Sequence, residues 1–215
     1  MKRVTLVLSL GLFAGLGFAA EKNPLGNGDP AAGKSKAASC VACHGVDGNS
    51  ANPAWPKLAG QHALYLQRQL QLFKKGLRPA TTMAGMVAPL SDQDMADLAA
   101  FFEQQKRTSG LADEAQVELG RRVYYGGNLK TKVPACAACH GPAGEGNPLS
   151  NYPSLAGQHA QYVADVLKAF RNGETWGDGE DVNGKIMAEV AKNMTDEEIQ
   201  AVSSYIQGLY AKESE

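Results

Sequence analysis

The hexapeptide Cys40-Val41-Ala42-Cys43-His44-Gly45 recurs 96 positions later as Cys136-Ala137-Ala138-Cys139-His140-Gly141, and no other feature constrains the chain as tightly. The repetition extends beyond the cysteines. Pro56-Lys57-Leu58-Ala59-Gly60-Gln61-His62-Ala63 returns as Pro153-Ser154-Leu155-Ala156-Gly157-Gln158-His159-Ala160 at an offset of 97. Met83-Ala84 through Ser91-Asp92-Gln93-Asp94 returns as Met187-Ala188 through Thr195-Asp196-Glu197-Glu198 at an offset of 104. Landmarks that keep their order while the offset grows mark two copies of one unit with insertions in loops. A chain of 215 residues accommodates two such units at ordinary domain size. The boundary falls near Thr108-Ser109-Gly110, which predicts domains over 20–108 and 109–215.

The local signals are helical. Asp29-Pro30 reads as an N-cap followed by proline at the first helical position, opening a helix toward Cys40. Leu66, Leu70 and Phe73 share one face of a helix expected from about Gln61 to Lys75, with Gly76 able to end it. Ser91 with Asp94, and Thr195 with Glu198, have capping-box spacing. No convincing alternating run suggests a strand, so both domains are expected to be all-α. Gly33 and Gly120 lie on the first helix of each repeat, where a missing side chain either lets that helix cross closely against the last one, near Phe101 and Tyr205, or is simply tolerated. The second repeat has a longer segment before its cysteines, containing Gly126-Gly127-Asn128.

Met1-Lys2-Arg3, an apolar run from Val4 to Phe18 and the small residues around Ala19-Ala20 have the order of a secretory signal peptide. The run is shorter than the ~20 residues that span a bilayer. Cleavage is expected after Ala19, with Ala20 as the alternative, leaving a soluble periplasmic protein. Losing Lys2 and Arg3 leaves 19 basic and 22 acidic groups, a net charge of −3, and no nucleic-acid partner is expected. The halves differ: residues 21–110 carry 10 basic and 7 acidic groups, and residues 111–215 carry 9 and 15. Such asymmetry can orient an encounter with a charged partner.

All four cysteines sit in the two C-x-x-C-H pentapeptides, the spacing of c-type haem attachment. On one helical turn, cysteines three apart reach the two vinyl groups of a haem while the adjacent histidine faces the iron. A zinc site built from two C-x-x-C pairs, a thioredoxin-like dithiol and plain disulfides are the competing readings. The histidine beside each second cysteine and the absence of a β-α-β pattern weigh against the first two. His44 and His140 are thus one axial ligand each. For the second, only Met83 and Met187 occupy the same place in both repeats; Met95 and Met194 read as packing, and Met86 stays open as a ligand to the first haem. His62 and His159 are duplicated too, leaving bis-histidine ligation as an alternative, although they stand at an expected helix start.

These residues together resemble the dihaem cytochrome c4 family, two fused methionine-ligated class I cytochrome c domains. The resemblance covers nearly the whole mature chain and rests on both cysteine motifs, the two proline-leucine-glycine segments, the paired methionines and the closing helices. It implies two tandem cytochrome c-like domains related by a pseudo-twofold axis. It also implies two covalently bound haems attached through Cys40, Cys43, Cys136 and Cys139, with His44, Met83, His140 and Met187 on the irons. The carbonyls of Pro56 and Pro153 would hold the proximal imidazoles, as outer partners of metal-bound histidines commonly do. The implied function is one-electron transfer, from a quinol-oxidising respiratory complex to a terminal oxidase or periplasmic reductase, with loose association to a membrane surface possible. The rival class is a dihaem enzyme, a peroxidase or small dehydrogenase, which needs an open iron position that paired methionines would fill.

Overall fold

The structure, a computed structural model, describes residues 26–177, 179 and 182–210. The expected signal peptide, 1–19, lies outside them. Asp29 caps α1, Pro30–Lys36, its carboxylate accepting from the N–H groups of Ala31 and Ala32. A 3-10 turn, Ala37–Ser39, leads into the one-turn helix α2, Val41–His44. Then follow α3, Ala63–Lys74; α4, Thr81–Val87; and α5, Asp92–Glu103. The second half repeats the order as α6, Glu114–Gly126; α7, Ala137–His140; α8, Ala160–Arg171; α9, Val182–Ala191; and α10, Asp196–Gly208. Among the described residues the only β pairings are two isolated bridges, Asn128 with Val133 and Asn147 with Tyr152.

Both capping boxes form: Ser91 and Asp94 exchange backbone and side-chain bonds at the head of α5, and Thr195 and Glu198 do so at α10. The helix expected from Gln61 to Lys75 is shorter by two residues at its start and one at its end, because His62, with ψ 130°, is outside the helical region and serves as the N-cap of α3, and Lys75 is the C-cap. In each half the first helix crosses the last, and the middle helix packs on the last as well: α1 and α3 on α5, α6 and α8 on α10. The first crossing depends on glycine. A Cβ on Gly33 would stand 2.0 Å from the carbonyl oxygen of Asp97, and one on Gly120 would stand 2.3 Å from that of Ala201. Of the two readings open for these glycines, close crossing is therefore the one realised.

One apolar core forms in each half. Leu66, Leu98, Phe101 and Phe102 anchor the first, with Cys40 and Leu58 against it. Val123, Tyr124, Leu167, Phe170, Ile199 and Val202 anchor the second, with Cys136 and Met187 against it. The extra segment of the second half, after α6, is pinned by the buried Glu198, which accepts from Asn128 Nδ2 at 2.6 Å and Thr131 Oγ1 at 3.0 Å. No helix among the described residues is long and apolar enough to cross a membrane.

Candidate functional site

Each cysteine motif occupies a single helical turn. Cys40 and Cys136 stand at the N-cap, the second cysteine and the histidine follow within the turn, and Gly45 and Gly141 stop it at φ +82° and +79°. Side chains avoid that left-handed region, so glycine fits the stop. The chain then folds back: Leu58 N–H donates to Gly48 O, and Leu155 N–H to Gly144 O, both at 2.7 Å. This return brings the proline carbonyls to the histidines. His44 Nδ1 lies 2.9 Å from Pro56 O, and His140 Nδ1 lies 3.0 Å from Pro153 O.

A carbonyl only accepts, so each Nδ1 carries the proton and each Nε2 presents a lone pair. Both imidazoles are buried, at 7% and 6% exposure, and burial pulls their pKa below the ordinary value despite the carbonyl bond. They are neutral and held in one orientation. The thiols tell the same story from the other side. Burial raises the Cys40 thiol and pushes that of Cys136 up to about 11, the opposite of the lowered value a redox-active dithiol needs. No disulfide forms, and no three His, Cys, Asp or Glu side chains converge as a metal-ion set among the described residues.

Met83 lies half-buried on α4, and Met187 lies on α9 against the core that also holds Cys136. Met95 and Met194 are core residues at 0% and 4% exposure, while Met86 is 41% exposed. His62 and His159 are N-caps of α3 and α8, and each ring reaches the other half: His62 Nε2 to Glu145 O, and His159 Nε2 to Ser50 O, both at 2.8 Å.

The halves meet through a reciprocal set of bonds, most of them from the proline-leucine-glycine segments. Gln61 accepts from Ser154 N–H at 2.8 Å and donates to Ser154 O at 3.0 Å, while Gln158 does the same to Lys57 at 2.8 and 2.9 Å. Arg107 crosses the same seam, donating from Nε to Ala59 O at 2.6 Å and from Nη1 to Ala156 O at 3.2 Å. Its Nη2 is buried without a partner, and burial pulls its pKa down to about 10. Lys57, 6% exposed, lies close enough for the Arg107 charge to add to the desolvation that lowers its own pKa. Neither cation has an ion pair among the described residues. The sequence reading gave Gln61, Gln158, Lys57 and Arg107 no role. The duplication of the two glutamines was the signal for the first pair, and nothing comparable marked Arg107.

Two helical units, each wrapped about a C-x-x-C-H turn whose buried neutral histidine is held by a proline carbonyl, define a two-centre c-type cytochrome. The family model described as cytochrome c matches residues 30–106 and 117–210. Cytochrome c4 of Azotobacter vinelandii is 50% identical over 216 residues, spanning 96% of this chain and 98% of the relative. That of Pseudomonas aeruginosa is 47% identical over 207 residues, again with 96% and 98% covered. The crystal structure of reduced recombinant cytochrome c4 from Pseudomonas stutzeri aligns at a TM-score of 0.80 and 47% identity, covering 85% of this chain and 100% of that one. The chain belongs to the cytochrome c4 family. It is an all-α protein of two cytochrome c segments, carries two covalently attached c-type haems, and is an electron carrier rather than an enzyme.

Proposed function

We propose that the mature protein is a periplasmic one-electron carrier of a respiratory chain, taking electrons from a quinol-oxidising complex and passing them to a terminal oxidase or periplasmic reductase. The carrying observation is the pair of buried, neutral imidazoles of His44 and His140, each fixed through Nδ1 to a proline carbonyl. In this reading residues 1–19 are removed on export, and 20–108 and 109–215 are the two domains. Cys40, Cys43, Cys136 and Cys139 would hold the haems by thioethers, which suits a cofactor kept outside the cell. His44 with Met83, and His140 with Met187, would be the axial pairs, a thioether favouring the reduced form relative to a second imidazole. Bound haem supplies the one-electron ferric–ferrous couple.

The chain's own contribution is to orient two ligands, exclude water and supply charge. Buried cations without counter-charge are costly. Lys57 and Arg107, with its orphaned Nη2, therefore fit a group that brings carboxylates to this seam, as haem does through its propionates. His62 and His159 are engaged with carbonyls across the seam, which supports methionine over histidine as the second ligand.

The test is an optical titration of the chain matured in a host with c-type haem assembly, beside Met83→Ala and Met187→Ala. The wild type is expected to show two covalent haems, both with the weak far-red band of thioether-bound ferric iron, and each variant to lose about half of that band. A wild-type haem lacking the band and reacting with peroxide would turn the assignment toward a dihaem enzyme.

A further inference from the structure

Duplication makes the departures from it informative, and one buried departure reaches across the seam: Arg78. Extending the offset of 97 through α3 and α8 pairs Tyr65 with Tyr162, Phe73 with Phe170 and Gly76 with Gly173, but pairs Arg78 with Thr175. Arg78 is 8% exposed and reaches into the other half. Its Nη1 donates to Gln69 Oε1 at 2.6 Å, and its Nη2 donates to Tyr162 OH at 2.9 Å. The guanidinium lies 4.7 Å over the Phe73 ring and 3.9 Å over the Trp176 ring, and the Trp176 ring meets that of Phe170 tilted at 43°, 4.5 Å between centroids. The duplicated phenylalanines thus bracket two residues without duplicated counterparts. Trp176 is held at φ +44°, a backbone conformation a bulky side chain rarely adopts, so the surrounding structure enforces its place under the guanidinium.

Arg78 has no ion pair within contact distance among the described residues; its hydrogen-bond partners are the Gln69 amide and the phenols of Tyr162 and Tyr65, and the carboxylate that acts on it, Glu174, does so through space while accepting from Trp176 Nε1. Burial opposes its charge, but Tyr162, Tyr65 and Glu174 together outweigh that, and the guanidinium stays protonated. A fixed positive charge out of water acts over a longer range than one at the surface, where water and salt screen it. It favours whichever iron state carries one positive charge fewer, which is the ferrous one. The repeat puts Thr175 where Arg78 stands, so no cation answers it in the other half, and Trp176, against which it lies, belongs to the core that holds Cys136 and Met187.

We infer that Arg78, stacked between Phe73 and Trp176 at the seam, is a potential-setting residue that makes the two haems unequal by raising their reduction potentials to different extents. The inference rests on the proposed two-haem carrier. Reduction adds one electron to one iron and neither makes nor breaks a bond at Arg78.

The experiment is a spectroelectrochemical titration of the haem-loaded full chain, resolving two midpoints, for the wild type, Arg78→Met and Arg78→Lys. Arg78→Met removes the charge and keeps an apolar stem, so both midpoints are expected to fall, unequally, and their separation to change. Arg78→Lys keeps the charge and loses the planar stack, so the separation is expected to stay near the wild-type value. An unchanged separation in Arg78→Met overturns the inference. So does an Arg78→Lys separation that moves as far as that of Arg78→Met, since packing would then be the cause. Should Arg78→Met not accumulate, Arg78→Gln removes the charge while keeping a hydrogen-bonding side chain, and carries the same two outcomes. A pyridine haemochrome count on the wild type separates the failures: two haems with an unmoved separation sink only the role of Arg78, whereas fewer than two sink the carrier reading first.

Discussion

Replacing Gly33 by alanine drives a methyl group into the turn of α5 that it crosses. The new Cβ would stand 2.0 Å from Asp97 O, 2.5 Å from Asp97 C and 2.8 Å from Phe101 Cβ. A relaxed carbon-to-carbonyl-oxygen contact is about 3.3 Å, so the helices must part by more than about 1 Å. Two of the three obstructing atoms are helical backbone, which cannot rotate aside. A gap of that size forfeits a quarter to a half of each dispersion contact along the crossing, and overpacking of this kind costs about 1–3 kcal/mol. Alanine returns about 1 kcal/mol in helix propensity. With the backbone clash placing the cost at the upper end, the net loss is about 2 kcal/mol, or roughly 4–8 °C in Tm for a chain of this length. Gly85 is the control, because it lies within α4 and a Cβ there meets nothing within 4 Å. Gly85→Ala is expected to gain up to about 1 kcal/mol. Thermal scans of the haem-loaded variants decide it: a Gly33→Ala protein as stable as the wild type would refute the close-crossing argument.

Gln158→Ala strands the buried N–H and C=O of Lys57 and should cost about 1–3 kcal/mol in urea denaturation, with Gln61→Ala comparable through Ser154. A loss below about 0.5 kcal/mol in both would mean that water replaces the amides. Burial opposes ionisation of Asp97, but the Asp29 N–H, Lys36 and Gln93 outweigh it and hold the carboxyl below its ordinary value of 3.8. A depressed carboxyl contributes stability above its unfolded pKa and loses it as pH falls through the folded one, so Asp97→Asn should flatten the fall of Tm below about pH 4; a parallel fall would refute the assignment. Because residues 21–110 and 111–215 differ in charge balance, electron-transfer rates with the two partners should respond differently to ionic strength, and rates indifferent to salt would remove docking by charge.

What the sequence disclosed, and what it withheld, divides along a physical line. Capping boxes, the Asp29-Pro30 start and the helical stop at Gly76 are local, and all were legible because their partners lie within four residues. The crossing glycines were legible only as a choice between two readings, since a close approach depends on a partner helix more than sixty residues away. Gln61 and Gln158 stood in plain view as a duplicated pair, yet nothing local shows that an amide at a helix start will read the backbone of the opposite unit. Arg78 and Arg107 were invisible for a stronger reason: a single arginine near the end of a helix or in a connecting segment normally reads as solvated surface, and burial of a cation is decided by what packs over it.

The duplication and its lapses serve different ends. Residues repeated in both halves, namely the cysteine turns, the proline carbonyls, Gly33 with Gly120 and Gln61 with Gln158, make two equivalent cradles and lock them face to face. Equivalent cradles alone would hold electrons with no preference between them, and a carrier loading at one end and discharging at the other gains from a bias. Two sources of the asymmetry differ in their physics. Surface charge, distributed unequally between the halves, is screened within about 8 Å at physiological salt and can act only on approach of a partner. The guanidinium of Arg78 sits out of water, where salt does not reach it, and acts whether or not a partner is bound. The first steers encounter and the second sets where an electron rests, so each can change in evolution or in the test tube without the other.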